Sequence, residues 1–248
     1  MKIIGVIPSR YASTRFPGKP LVMIDGCSMI QKVYEQASKS SLLSKVVVAT
    51  DDDRIFDHVL DFGGKVIMTD VNHINGTTRC HEVLSSLEKI GENYDIVINI
   101  QGDEPRINPQ QIDNVAQLFL DPNTDIGTLA KMISSQEELF DSNVVKVVFD
   151  DYKRALYFSR QAIPFQRGVD NSDWLSKTNY YKHIGIYGYR TDILSQIVVM
   201  PVGKFEMAES LEQLRWLENG LNIKVDITDF ESIAIDTPED LLKLETNP

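Results

Sequence analysis

The chain has only two cysteines in 248 residues, Cys27 and Cys80. That is too few for a disulfide scaffold and neither stands in a metal-binding spacing, so both read as reduced thiols of a cytoplasmic protein. No apolar run approaches the roughly 20 residues of a membrane span, and the N-terminal run MKIIGVIPSR is too short for a secretory signal. Positive charge is in deficit. Lys and Arg number 25 against 36 Asp and Glu, a formal net charge of −11. The resulting field repels polyanions, which excludes nucleic acid and anionic membranes as general partners. Internal repeats and low-complexity tracts are also missing. Gly18-Lys19 is followed by Pro20, so it is not a P-loop, and there is no G-x-G-x-x-G.

What remains is the composition of a folded enzyme, 42% hydrophobic and 25% charged. Apolar runs rich in Val and Ile occur at Ile3 to Ile7, Val46 to Ala49, Lys65 to Met68 and Ile96 to Ile100. Their continuity predicts strands buried on both faces, as in a parallel sheet covered by helices. Helical stripes separate them, Ile30, Val33, Tyr34 and Ala37 in one and Ile55, Val59 and Phe62 in another. The alternation predicts an α/β fold with a doubly wound, mainly parallel sheet flanked by helices. In such sheets ligands bind beyond the carboxyl ends of the strands, which directs attention to the loops after Pro8, Thr50 and Ile100.

From about Asn143 the pattern changes. VVKVVF, ALYFS and HIGIYGYR read as strands, interrupted by a polar stretch from Arg167 to Tyr180, and suggest a smaller antiparallel extension or arm. Beyond it the pattern predicts a helix from Met207 to Asn219, a strand from Ile223 to Thr228 and a helix from Pro238 to Leu244. The simplest reading is a single domain over 1–248.

The first functional signal is local charge. No acidic residue precedes Asp25, yet Arg10, Arg15 and Lys19 share one loop with Ser13, Thr14, Pro17 and Gly18. A loop of this kind at a strand end can offer backbone N–H groups, hydroxyls and cations to a polyphosphate, or it can be a solvated surface loop. A second signal is Asn99-Ile100-Gln101-Gly102-Asp103-Glu104-Pro105, which ends a buried strand in a glycine and two carboxylates. A third is Ile235-Asp236-Thr237-Pro238-Glu239-Asp240, where Asp236 is a candidate metal ligand or merely the lead into a helix capped by Thr237.

The run Ile7-Pro8-Ser9-Arg10-Tyr11-Ala12-Ser13-Thr14-Arg15-Phe16-Pro17-Gly18-Lys19-Pro20-Leu21 resembles the signature of the 3-deoxy-manno-octulosonate (Kdo) cytidylyltransferases, a family of the sugar nucleotidyltransferase superfamily. Ser9 stands where that family usually has Ala. The motifs around Asp103 and Asp236 are similar to family motifs as well, and the resemblance runs from Met1 to about Leu244. It implies a nucleotide-diphospho-sugar transferase-like fold and transfer of CMP from CTP to the anomeric hydroxyl of Kdo, for lipopolysaccharide biosynthesis. It also implies Mg²⁺ held by Asp103 and Asp236, with Lys19 stabilising charge on the phosphates.

By the same resemblance CTP meets Arg10, Ser13, Arg15, Lys19, Asn75, Gly76, Thr77, Arg79 and Gln101, mainly within residues 1–132. The sugar acid meets Arg160, His183, Tyr187, Glu212 and Gln213, within a sugar-binding and dimerisation part at 143–248. Read without the resemblance, Arg160 at a strand end can hold a carboxylate bidentately, while the tyrosines and His183 can equally be packing. Glu209 and Glu212 share a face of the expected helix, leaving one of them available to pair with Arg215. The family is usually homodimeric, which makes 143–189 a candidate interface with Trp174 and Tyr180 as anchors.

One stretch departs from the family. His73-Ile74-Asn75-Gly76-Thr77-Thr78-Arg79 corresponds to H-x-S-G-T-D/E-R, with Asn75 for the serine and Thr78 for the acid. Thr77 is the expected helix cap there, and loss of the acid is expected to free Arg79 from an ion pair. The departure keeps two alternatives open, the same reaction on 8-amino-8-deoxy-Kdo or another acid sugar, and a catalytically silent nucleotide-binding protein.

Overall fold

The computed structural model describes residues 1–12, 16–231 and 233–246, the side chains of 243–246 excepted. The first half alternates strand and helix: β1 (Ile3–Ser9), a short hairpin of β2 (Met23–Ile24) and β3 (Cys27–Ser28), α1 (Met29–Ala37), β4 (Lys45–Thr50), α2 (Asp53–Asp61), β5 (Val66–Met68), α3 (Gly76–Glu88), β6 (Ile96–Asn99) and α4 (Pro109–Gln117). The second half holds β7 (Ile126–Met132), α5 (Gln136–Phe140), β8 (Lys146–Phe149), β9 (Ala155–Ser159), α6 (Trp174–Lys177), β10 (Tyr181–Arg190), α7 (Thr191–Ile197), α8 (Lys204–Glu209), α9 (Gln213–Glu218), β11 (Ile223–Ile227) and α10 (Pro238–Thr246).

The main sheet runs in the order β11-β7-β10-β6-β1-β4-β5. All of these strands run parallel to β1 except β10, which is antiparallel to both its neighbours, β6 and β7. The runs in β1, β4 and β6 are buried on both faces, whereas that of β5, at the sheet edge, is only partly covered and leaves Met68 41% exposed. Ile3 and Ile7 pack with α1, α2 and α4 through Ile30, Ile55 and Ile112. Ile4 and Val6, on the opposite face of the same strand, pack with α3, α7 and α9 through Val83, Leu194 and Leu214. Each of these side chains, fully removed from water, contributes about 1.5–3 kcal/mol. The expected doubly wound, mainly parallel sheet is present, and both helical stripes in the first half face it.

Three expectations need correction. β10 belongs to the main sheet rather than to the arm, because its ten residues pair with β6 and β7 and only its start, at Lys182, touches β8. The helix expected over Met207 to Asn219 is two helices. Ser210 adopts a left-handed conformation (φ 53°) that ends α8 and starts a turn in which Leu211 is buried. Trp174 and Tyr180 are not surface anchors, since they are 3% and 1% exposed and stack on each other inside the arm's own small core. Among the described residues no helix is long and apolar enough to cross a membrane.

The chain passes from β1 outward to β4 and β5 and then crosses back to β6 on the other side of β1. This reversal opens a crevice beyond the carboxyl ends of β1 and β6. Its floor is tight, because a Cβ on Gly102 would lie 2.7 Å from the Pro8 carbonyl oxygen. Gly102→Ala is therefore expected to force the two strand ends apart and cost about 1–3 kcal/mol, read as a lowered urea midpoint with an unchanged slope.

Candidate functional site

At the carboxyl end of β1 the chain turns through Arg10 and Tyr11 and returns at Gly18, whose N–H donates to the Tyr11 carbonyl (3.0 Å). Gly18 has φ 72°, and its missing side chain makes room for the Tyr11 ring, 3.1 Å from where a Cβ would stand. The Tyr11 ring also carries the guanidinium of Arg54, 3.3 Å from its centroid. The turn delivers Lys19 into the crevice. Its Nζ donates to Asp103 Oδ2 at 2.8 Å and to Asp236 Oδ1 at 3.3 Å. Lys19 is 14% exposed at its side chain, Asp103 25% and Asp236 39%, so this triad sits at the mouth of the crevice within reach of a ligand.

The Asp236 segment leads into a capped helix, as expected. Thr237 caps α10 reciprocally with Asp240, its Oγ1 accepting from the Asp240 N–H at 3.4 Å while the Thr237 N–H donates to Asp240 Oδ2 at 3.0 Å. That leaves the Asp236 carboxylate directed at Lys19. The Ile235 N–H donates to the Asp103 carbonyl (2.9 Å), which binds the two acidic segments together.

These groups open onto a cavity of about 340 Å³. Of the residues expected to meet CTP, Arg10, Lys19, Asn75, Gly76, Thr77, Arg79 and Gln101 line it, as do Asp103 and Asp236, the expected metal ligands. Ser13 and Arg15 lie outside the described residues. Of those expected to meet a sugar, Tyr187 and Glu212 line it, whereas Arg160, His183 and Gln213 do not. The Arg160 guanidinium is spent on backbone carbonyls, donating to Glu209 O at 2.7 Å and Ser142 O at 3.1 Å, so the bidentate carboxylate contact read from its strand-end position is not available to it here.

Burial holds His183 at a pKa of about 3, so it stands neutral beside the site. Its Nε2 lies 3.0 Å from Thr128 Oγ1, and that hydroxyl directs its single proton to the carbonyls of the β-bulge at Ile184 and Ile186, which makes His183 the donor. The same bulge turns the Gly185 carbonyl toward Gln101, which donates to it at 2.8 Å.

The departing loop is rebuilt differently from expectation. Asn75, not Thr77, caps α3, with Oδ1 accepting from the Thr78 N–H at 2.9 Å. Thr77 Oγ1 and Asn75 Nδ2 instead donate to Glu212, at 3.0 and 2.9 Å. Nor is Arg79 freed by the missing acid at Thr78. It is buried and donates to Asp51 Oδ2 at 2.8 Å, a carboxylate supplied from the end of β4. Glu209 and Glu212 share no helix, because Glu209 closes α8 and accepts from Ser159 and the Arg160 N–H, while Glu212 precedes α9 and accepts from Arg215 (3.0 Å). Burial pushes the Glu212 carboxyl above its usual range, against the pull of the Thr77, Arg215 and Asn75 contacts.

Motif reading missed Asp51, Tyr189 and Trp216. Tyr189 and Trp216 line the cavity beside Tyr187 and Glu212. Tyr189 is two residues from Tyr187 on a strand and Trp216 four from Glu212 in a helical stretch, so periodicity alone placed each on the face of a residue already singled out.

Among the described residues no group of three or more His, Cys, Asp or Glu side chains gathers as a metal cage. A pair of carboxylates open to a ligand nevertheless suits Mg²⁺, a hard cation that keeps waters and substrate phosphates as its remaining ligands.

A model of the cytidylyltransferase family matches residues 4–227. A 3-deoxy-manno-octulosonate cytidylyltransferase of Bacteroides thetaiotaomicron is 53% identical over 99% of this chain and 97% of its own length. One from Thermodesulfovibrio yellowstonii is 51% identical, over 97% and 96% respectively. A solved CMP:2-keto-3-deoxy-manno-octonic acid synthetase complexed with CTP superposes with a TM-score of 0.91 at 42% identity, covering 99% of this chain and 98% of that one.

The neutral, half-buried His183 has a consequence in acid. Unfolded histidine takes up a proton near pH 6.5, whereas the folded chain refuses it until about pH 3. Stability from this residue is thus complete above pH 6.5 and is lost as pH falls toward 3. Between pH 7 and pH 5, wild type is expected to lose about 2 kcal/mol more than His183→Gln, measured by urea unfolding at the two pH values.

Proposed function

This chain belongs to the family of 3-deoxy-manno-octulosonate cytidylyltransferases, and from that premise we propose that it transfers CMP from CTP to the anomeric hydroxyl of Kdo. The products are CMP-Kdo, for lipopolysaccharide biosynthesis, and pyrophosphate. The observation that carries this reading is the convergence of Lys19, Asp103 and Asp236, from three separated segments, on the mouth of one cavity.

Arg10 and Lys19, with Ser13 and Arg15 of the same loop, take the triphosphate. Asn75, Gly76, Thr77 and Gln101 face the nucleoside, with Arg79 holding their loop through Asp51. Tyr187 and Glu212 take the sugar acid, supported by His183, whose ring packs on Tyr187, and by Gln213, next to Glu212 at the start of α9. Asp103 and Asp236 would hold Mg²⁺, which when bound neutralises phosphate charge and lowers the pKa of a hydroxyl beside it. The sugar hydroxyl oxygen attacks the α-phosphorus, the bond from that phosphorus to the bridging oxygen of the leaving group breaks, and the hydroxyl proton is lost. Lys19 offsets charge on the departing pyrophosphate. Positioning and charge neutralisation supply the catalysis, and no covalent intermediate is needed.

Residues 1–132 form mainly the CTP-binding part and 143–248 the sugar-binding and dimerisation part of a cytoplasmic homodimer. Phe140 and Phe165, 42% and 74% exposed, flank Trp174 on the arm and give that dimer an apolar face. The mass in solution is expected to be that of two chains.

Pyrophosphate release from CTP and Mg²⁺ is expected to be fastest with Kdo in a panel of sugar acids. Fast turnover of 8-amino-8-deoxy-Kdo with none of Kdo would overturn the choice of acceptor, and no product from any acid would favour a silent nucleotide-binding protein. Asp103→Asn should lose turnover by at least about a hundredfold and keep the wild-type melting temperature.

A further inference from the structure

The cavity is lined by two cations, Arg10 and Lys19, and also by Glu212 and a cluster of three rings. Trp216 meets Tyr187 and Tyr189 edge-on, at centroid distances of 5.1 and 5.5 Å, and the two tyrosine rings stack at 6.0 Å. All three rings are deeply buried, with Tyr187 8%, Tyr189 0% and Trp216 1% exposed. Their polar atoms are nevertheless unspent, for the hydroxyls of Tyr187 and Tyr189 and the indole N–H of Trp216 have no hydrogen-bond partner among the described residues.

An unpartnered buried donor costs about 1–3 kcal/mol, and three together at the wall of one cavity call for an outside acceptor. The character of that acceptor follows from Glu212. Its carboxylate is held by Asn75, Thr77 and Arg215 and retains lone pairs for a further donor. A phosphate or carboxylate placed beside it would be repelled, whereas a hydroxyl can donate to Glu212 and accept from a ring donor at the same time. Aromatic faces with a few polar tips also suit the alternating C–H and O–H surface of a sugar.

We propose that Tyr189 and Trp216 are specificity-determining residues, whose hydroxyl and indole N–H donate to the hydroxyls of a bound sugar beside Glu212 in the cavity. The assignment rests on the cytidylyltransferase reading for its choice of ligands. The sugar is that of the acid acceptor or the ribose of CTP, and the measurement separates them.

Tyr189→Phe removes a hydroxyl that makes no hydrogen bond among the described residues, so its melting temperature should equal or exceed that of wild type, a result that a structural hydrogen bond would not give. Steady-state kinetics with CTP, Mg²⁺ and Kdo, alongside calorimetric titration of CTP, should show one affinity falling by roughly 3–15-fold, the range for one neutral hydrogen bond. A raised KM for Kdo with unchanged CTP affinity assigns the acid acceptor. Weakened CTP binding, with the variant no longer distinguishing CTP from its 2′-deoxy analogue, assigns the ribose. Trp216→Phe should move the same parameter, and if it does not fold, Tyr189→Phe decides alone. Active wild type together with a Tyr189→Phe enzyme unaltered in both KM for Kdo and CTP affinity would overturn the assignment, and so would a lowered melting temperature with no change in either affinity. Inactive wild type on every sugar acid would instead count against the cytidylyltransferase reading itself.

Discussion

One lysine ammonium holds the site together. Lys19 Nζ reaches Asp103 Oδ2 at 2.8 Å and Asp236 Oδ1 at 3.3 Å, joining the loop after β1, the loop after β6 and the segment before α10. Two carboxylates facing one cavity would repel each other without a cation between them. The ion pairs are partly exposed and are worth little as stability. Their importance is positional, because they set the acidic groups and the cationic loop at one point of the crevice. Gly18 and Gly102 serve that same point, one by letting the loop fold back on Tyr11 and the other by letting β6 end against Pro8.

The reversed strand β10 adds to this frame. Running antiparallel between β6 and β7, it brings Tyr187 and Tyr189 beside Asn99 and Val97, the strand whose end carries Gln101 and Asp103. The bulge between Ile184 and Tyr187 then turns a carbonyl toward Gln101. Glu212, drawn to the start of α3 by Asn75 and Thr77, adds a carboxylate where helix polarity favours one.

How much could be read in advance depended on the range of the interaction. Ile3 to Ile7 and Ile96 to Ile100 were legible because burial on both faces leaves an unbroken apolar run. The strand Ile126–Met132 has no such run, as Gly127, Thr128 and Lys131 interrupt it. The place of β10 in the sheet rests on pairing with residues about 50 to 90 positions away, which no local pattern carries. Lys19, Asp103 and Asp236 were legible as motifs, although their meeting was not. Arg79 shows the reverse case, since the loss of a neighbouring acid at Thr78 suggested a free cation and a carboxylate 28 residues earlier, Asp51, supplies the partner.

In the proposed reaction, transfer is a single displacement at the α-phosphorus, carried out by groups that position and neutralise rather than by a protein nucleophile. The most direct test is the stereochemical course of the reaction between Kdo and one configurational isomer of the α-phosphorothioate analogue of CTP. A CMP-sugar product inverted at phosphorus, formed together with pyrophosphate, is the predicted result. Retention would require two displacements through a covalent intermediate and would contradict the account.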